Sequence, residues 1–261
     1  MKFLSSTAAA MTLALLHALT PACAAEARLF QYSTIDALLA GAYDGDMSVA
    51  ELSRHGNFGL GTYNRVDGEM IVSEGVFYQV RGDGKVNIAG PQERSPLAIM
   101  TDFNPGPAVT LAAAHSLAEL EAAIDAGLPN KNAFYAIRID GDFAALSTRA
   151  IYPQSQPYRP LAEVVKTQSV FQLGATRGQL IGFRSPAFSK GFNIPGYHWH
   201  YLATDHASGG HVLSLQMNTG SARIATLSTV ELQVPTTNGF VQADQSKDRS
   251  QELHAVEKIR Q

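Results

Sequence analysis

The chain has almost no cysteine, because Cys23 is the only one among its 261 residues. A single cysteine cannot form a disulfide within the chain, so the fold must be stabilised by an ordinary apolar core, and the chain is long enough to build one. The chain also lacks an excess of basic residues, since its formal net charge is −3. Without a basic surface a protein has no electrostatic footprint for nucleic acid, so no nucleic acid is expected as a partner.

Long apolar runs are missing as well. The only candidate, from about Ala8 to Leu19, is too short to span a bilayer. It follows Lys2 and precedes small residues around Cys23, which is typical of a secretory signal peptide rather than of a membrane anchor. A lipoprotein cleaved before Cys23 is disfavoured by Pro21. We predict that residues 1–24 are removed, which leaves a periplasmic or secreted protein without cysteine and without a membrane segment.

Turn-forming residues divide the rest of the chain into short strands. Asp67-Gly68, Ser73–Gly75 and Arg81–Gly84 separate runs of strand-forming residues and predict a β-meander. Asp140-Gly141 predicts a further hairpin, from Phe134 to Ile151. Apolar spacing and capping residues predict short helices at 32–42, 48–56, 116–126, 160–166 and 251–261.

Four of the eight histidines lie in the segment from Gly196 to His211. His198 and His200 are two residues apart, so on a strand their side chains point to the same face. The turn formers between His200 and His211 predict a hairpin that brings these two residues opposite each other, about 4.5–5.5 Å apart at Cβ. His206, at the tip of that turn, is not expected to join them.

Three imidazoles on one face of a hairpin indicate a metal site. Three protein ligands leave the fourth position of a Zn²⁺ ion open, as in catalytic zinc sites, whereas structural sites close all four positions. The sequence therefore predicts a β-dominated α+β fold of two packed mixed α/β halves with β-meanders, and a zinc site on a hairpin of the C-terminal half. The N-terminal half is expected at 25–157 and the C-terminal half at 158–261.

Further motifs along the chain resemble those of the α-acetolactate decarboxylase family. The resemblance covers essentially the whole mature chain. The segments that carry it are 58–62, 67–71, 75–78, 96–98, 134–141, 149–154, 178–186 and the histidine segment 196–213.

The resemblance implies a role for each matching residue. His198, His200 and His211 match the family's zinc ligands. Glu69 and Arg149 match its active-site glutamate and arginine. Two further residues match shorter family motifs. Thr62 would be a substrate-binding residue that lines the pocket, and Glu257 would be a C-terminal glutamate that lies close to the zinc.

Each of these residues also has an ordinary structural interpretation. Glu69 directly after a turn is typical of an exposed hairpin residue, because glutamate is mostly found at the surface. Arg149 would then pair with a surface carboxylate, Thr62 would simply favour a strand, and Glu257 would belong to a solvated terminus.

The activity that the resemblance implies is decarboxylation of (S)-2-acetolactate to (R)-acetoin and CO₂, by a homodimeric zinc enzyme acting on a small-molecule substrate. Two alternatives remain open at this stage. Three histidines on neighbouring strands also describe a carbonic anhydrase-like lyase, in which zinc-bound hydroxide attacks CO₂. The same spacing would suit a non-catalytic periplasmic zinc-binding protein.

Overall fold

A computed structural model of the protein describes residues 27–257. The predicted signal peptide, residues 1–24, lies outside the described residues, as do residues 258–261 of the predicted C-terminal helix. Export to the periplasm or the medium therefore stays a prediction. Within residues 27–257, no helix combines the length and the apolar character needed to cross a membrane.

Strands form most of the regular structure. In chain order they are β1 (Arg28–Tyr32), β2 (Met47–Ser48), β3 (Phe58–Thr62), β4 (Glu69–Ser73), β5 (Val76–Val80), β6 (Val86–Ile88), β7 (Arg94–Ser95), β8 (Leu97–Thr101), β9 (Val109–Leu111), β10 (Phe134–Ala150), β11 (Ser169–Gln172), β12 (Thr176–Ser185), β13 (Gly196–Ala203), β14 (Gly209–Leu227) and β15 (Thr229–Gln233). The helices are α1 (Ile35–Leu39), α2 (Val49–Leu52), α3 (Leu117–Gly127), α4 (Leu161–Val164), α5 (Asn238–Gln242) and α6 (Ser250–Glu257).

The first large sheet has seven strands in the order β15-β1-β8-β3-β4-β5-β6. Its centre is the predicted meander, since β3, β4 and β5 pair antiparallel in sequence. The sequence predicts that the first strand of the meander runs from Gly59 to Val66, and this C-terminal end is wrong. β3 pairs only as far as Thr62 opposite Glu69, and residues 63–68 form an irregular turn. Asp67-Gly68 is therefore the last part of a longer turn rather than a two-residue hairpin.

The second large sheet closes into a ring. β10 pairs with β12, β12 with β13, β13 with β14, and β14 again with β10. Large apolar side chains from all four strands form one core cluster with Leu120 and Ile124 of α3. A second cluster joins the ring to the seven-stranded sheet, with Leu60, Ile71 and Ile99 on one side and Ile181 among the residues on the other. Part of the interface between the two sheets is thus apolar and buried.

The predicted hairpin from Phe134 to Ile151 is wrong, because β10 is one continuous strand of 17 residues. The segment pairs with β12 and β14 at the same time, and a turn at Asp140-Gly141 would interrupt both ladders. Gly141 lies beside Gly178 of β12 and Gly220 of β14. A glycine inside a strand marks such a close approach of neighbouring backbones as often as it marks a turn.

The β-dominated α+β fold class is confirmed. Both large sheets take strands from each side of residue 157, because β9 and β10 belong to the second sheet and β15 belongs to the first. The division into halves at that residue stays a prediction. The predicted C-terminal helix is present as α6, whose Leu253 and Val256 pack on an apolar cluster with α1 and α4.

Candidate metal centre and active site

The three predicted histidines come together between the two sheets. His200 pairs with His211 across β13 and β14, as predicted from the spacing. One ring nitrogen from each of His198, His200 and His211 lies within 4.8 Å of the others, and all three side chains are buried. His206 lies at the turn between the strands, with Nδ1 3.4 Å from the Tyr78 hydroxyl, and is not part of this group.

Strand alternation orients the histidines. On β13, Trp199 and Tyr201 belong to the core cluster of the ring. Because neighbouring side chains on a strand point to opposite faces, His198 and His200 face the seven-stranded sheet instead. The sheet supplies a contact there, since His200 Nδ1 lies 2.8 Å from the Met70 carbonyl oxygen of β4. This carbonyl accepts a hydrogen bond from Nδ1, which fixes the tautomer. Nε2 is then unprotonated and has a free lone pair.

The imidazoles are held neutral. Burial lowers the pKa of His200 to about 3. Burial also depresses the pKa of His198 and His211 well below the usual value, and the Arg149 guanidinium adds to the effect on both. A neutral imidazole is the form that binds a metal ion. His198 Nδ1 and His200 Nε2 are buried without a hydrogen-bond partner, so the cluster has donor atoms available for a cation.

Two glutamates border the cluster. Glu69 Oε2 lies 3.5 Å from His200 Nε2, and Glu257 Oε2 lies 3.6 Å from His211 Nε2. The structure thus contradicts the interpretation of Glu69 as an exposed hairpin residue and of Glu257 as part of a solvated tail. Burial raises the pKa of each glutamate to about 7, although the charge of Arg149 acts in the opposite direction.

Arg149 and Thr62 complete the set of predicted residues. Arg149 lies on β10 opposite His211 of β14, is 4 % exposed, and its Nε has no hydrogen-bond partner. It therefore does not pair with a surface carboxylate. Thr62, at the end of β3, donates a hydrogen bond of 2.6 Å to the Gly68 carbonyl oxygen and lines the same cavity. All seven residues predicted from the sequence surround one point, and their roles stay predictions.

A cavity of about 40 Å³ lies beside the histidines. Its polar side is formed by six of the seven predicted residues, all except His200. Its opposite side is apolar and was not predicted from the sequence; it consists of Ile35, Leu38, Val66, Leu97, Ile151, Leu161, Ile194 and Val256. These residues come from helices, strands and turns far apart in the chain, so no local pattern identifies them. The Met70 carbonyl was also missed, because any residue type can supply a backbone oxygen.

The fold and the site together define a β-rich protein with a buried three-histidine cluster that could hold a metal ion, flanked by two glutamates and one arginine. Comparisons with known proteins agree on its family. The model of the alpha-acetolactate decarboxylase family matches residues 29–247. The alpha-acetolactate decarboxylase of Methylococcus capsulatus is 40 % identical over 229 residues, which covers 88 % of each chain. That of Methanosarcina mazei is 39 % identical over 230 residues, covering 88 % of this chain and 80 % of the relative.

A crystal structure supports the same assignment. The structure of alpha-acetolactate decarboxylase from Bacillus subtilis superimposes with a TM-score of 0.87 at 36 % identity, covering 89 % of this chain and all of that one. The chain belongs to the α-acetolactate decarboxylase family. Glu257 lies beyond the last residue that the family model matches, so its place beside His211 rests on the structure.

Proposed function

We propose that this protein decarboxylates (S)-2-acetolactate to (R)-acetoin and CO₂, with zinc as its metal. The proposal rests on one observation in a chain of this family: three neutral, buried histidines lie together, and Glu69, Glu257 and Arg149 line the cavity beside them. Buried groups with strongly shifted pKa values in a cavity are typical of a catalytic site.

The charges of the site suit a divalent cation and an anionic substrate. The two glutamates carry up to two negative charges and Arg149 carries one positive charge, so the ionised site has a net charge of −1. Buried charge of this kind must be compensated. A divalent cation makes the site positive, +1 with both glutamates ionised and +2 with one protonated, which attracts a substrate with one carboxylate. Acetolactate is a monoanion of this type.

The donor atoms fit zinc. Imidazole nitrogens and carboxylate oxygens are ordinary zinc ligands, and three protein ligands are the usual number in a catalytic zinc site. His198, His200 and His211 would hold the ion, and the Met70 carbonyl would orient His200. When bound, zinc supplies a Lewis acid that polarises the ketone and hydroxyl oxygens of the substrate.

Arg149 binds the substrate in this proposal. Its guanidinium offers a planar pair of donors that match a carboxylate, and its unpaired, buried Nε is directed at no other group. The same side chain can stabilise the negative charge that develops on oxygen. Its position opposite His211 supports this role, since His211 would be one of the metal ligands.

A glutamate supplies the proton. When the bond between the carboxylate and C2 breaks, CO₂ leaves and the electron pair stays on the substrate, delocalised towards the neighbouring carbonyl oxygen. A proton must then be added to one face of the resulting carbon. Glu69 and Glu257 both border the site, and burial keeps the pKa of each near neutrality, which suits a proton donor.

One assay tests the proposed function. The purified protein is incubated with racemic acetolactate before and after removal of metal by a chelator, and acetoin, its configuration and CO₂ are measured. We expect (R)-acetoin from half of the substrate, loss of the reaction on chelation and recovery with Zn²⁺. Stoichiometric zinc without acetoin would favour the non-catalytic zinc-binding protein, and CO₂ hydration would favour the carbonic anhydrase-like lyase.

Glu257 gives a prediction of its own. The Glu257→Gln variant is expected to keep the fold and the bound metal but to lose turnover by about 10²-fold or more if Glu257 is the proton donor. Deleting residues from Glu252 onward should have at least this effect, because the deletion also removes Val256 from the cavity wall. Acetoin formation and metal content are measured together, with the exposed Glu93→Gln as the charge-matched control. Unchanged turnover in both tail variants would leave Glu69 as the donor.

We also propose that the protein is a homodimer. β15 is the last strand of the seven-stranded sheet, and within residues 27–257 it pairs only with β1. Val230 and Leu232 of this strand and Val234 just after it are exposed. An exposed apolar edge strand is a template for pairing with a second chain. Light scattering should give twice the chain mass, and Leu232→Lys should give monomers. A wild-type monomer would contradict the proposal.

A further inference from the structure

The turn between β3 and β4 holds an uncommon backbone conformation. Arg65 has φ 65° and Val66 has φ 48°, so two consecutive residues lie in the left-handed region. Within residues 27–257, Val66 is the only β-branched residue with a positive φ. β-branched side chains avoid this region because the branched Cβ is crowded there. Such a conformation persists only where surrounding structure holds it in place.

Hydrogen bonds from outside the turn hold this conformation. The Arg65 amide donates to the Tyr43 carbonyl at 2.8 Å, and the Arg65 carbonyl accepts from the Gln154 amide at 2.8 Å. The Gly68 amide donates to the Ile151 carbonyl at 3.0 Å. Two other parts of the chain therefore fix both ends of the turn, and Val66 lies between them without freedom to relax.

The strained residue faces the active site. Val66 is 2 % exposed and lines the cavity together with Thr62 and Glu69, which flank the turn, and with His198 and His211 across from it. Strained backbone is found more often at functional sites than elsewhere. In a cavity of about 40 Å³ one methyl group is a large part of the free volume.

We propose that Val66 determines substrate specificity by limiting the size of the alkyl groups that the 2-hydroxy-3-keto acid carries. This inference rests on the proposed decarboxylation. The polar parts of such a substrate are matched by the metal ligands, Arg149 and the glutamates, so its alkyl groups must face the apolar wall. Val66 is the wall residue nearest in sequence to both Thr62 and Glu69, and its rigid turn prevents it from moving aside for a larger group.

The test compares substrates that differ by one methylene. The first is acetolactate, and the probes are 2-ethyl-2-hydroxy-3-oxobutanoate and 2-hydroxy-2-methyl-3-oxopentanoate. In Val66→Ala, kcat/KM for at least one probe relative to acetolactate should rise by about 10-fold or more, the discrimination that one methylene carries in an apolar pocket. The matched control is Val72→Ala, a fully buried valine of β4 that does not line the cavity, for which the ratio should stay at the wild-type value.

A second variant keeps the test decisive if Val66→Ala does not fold. Val66→Gly also enlarges the cavity, and glycine adopts the left-handed region freely, so this variant should fold and show the same change in ratio. An unchanged ratio in a folded Val66 variant would overturn the inference. So would unfolding of both Val66 variants beside a folded Val72→Ala, because Val66 would then serve only the core. Failure of the wild type to decarboxylate acetolactate would instead contradict the proposed function itself.

Discussion

Replacing His211 by alanine is expected to remove tight metal binding and acetoin formation while the fold remains. Only one of three nitrogen donors is lost, but even residues that merely orient a ligand cost about 10–100-fold in metal affinity, so loss of the ligand itself should cost more. The backbone of His211 pairs with Arg149 of β10 and with His200 of β13, so the backbone of β14 does not depend on the imidazole side chain. Elemental analysis of the dialysed protein gives metal per chain, and the acetoin assay gives turnover.

Thermal unfolding provides an independent measurement for the same variant. A metal ion that binds only the folded protein raises its stability by about 2.7 kcal/mol at a concentration 100 times the Kd. The melting temperature of the wild type should therefore fall on chelation, whereas that of His211→Ala should not respond. His206→Ala is the matched control, because His206 is a histidine of the same hairpin outside the cluster. Full metal occupancy in His211→Ala would show that the ligand assignment is wrong.

Glu69→Gln is expected to reduce turnover by about 10²–10⁴-fold with little loss of metal, if Glu69 is the proton donor. Glutamine keeps the shape of the side chain and its contact with His200 but has no proton to give. The pKa of Glu69, raised by burial to about 7, places its protonated form within reach at neutral pH. Steady-state kinetics and metal content are measured together, again with Glu93→Gln as the control.

Arg149→Lys completes this comparison. Lysine keeps the positive charge and loses the planar pair of donors, so KM for acetolactate should rise and kcat should fall if the guanidinium binds the carboxylate. Near-normal turnover in both Glu69→Gln and Arg149→Lys would contradict the roles that the family resemblance implies. Loss of turnover in Glu257→Gln but not in Glu69→Gln would show that Glu257 is the proton donor.

The hairpin was predictable because its information is local. Two histidines at strand spacing, turn formers and a third histidine are enough to bring His200 opposite His211. The burial of Glu69 was not predictable in this way, because it depends on the ring packing over β4, and ring and meander are distant in sequence. The resemblance named Glu69 and Glu257, but their distances from the histidines follow only from tertiary packing.

The Asp-Gly pair led to two wrong predictions, because it occurs both in two-residue turns and in other backbone settings. Asp-Gly is a strong turn signal, yet Asp140-Gly141 lies within a long strand and Asp67-Gly68 ends an irregular turn. In both places, neighbouring strands rather than local preference decide the backbone. The conformation of Val66 is the extreme case, because its residue type predicts a strand and partners elsewhere in the chain impose a left-handed turn.

Because α6 follows the histidine hairpin in the chain, the two parts of the site are synthesised at different times. Translation proceeds at about 5–20 residues per second, so the hairpin with the three histidines emerges from the ribosome seconds before Glu257 does. Before α6 packs in place, the cavity lacks the wall that Val256 and Glu257 provide. We expect a metal ion to reach the histidines from that side while α6 is not yet docked.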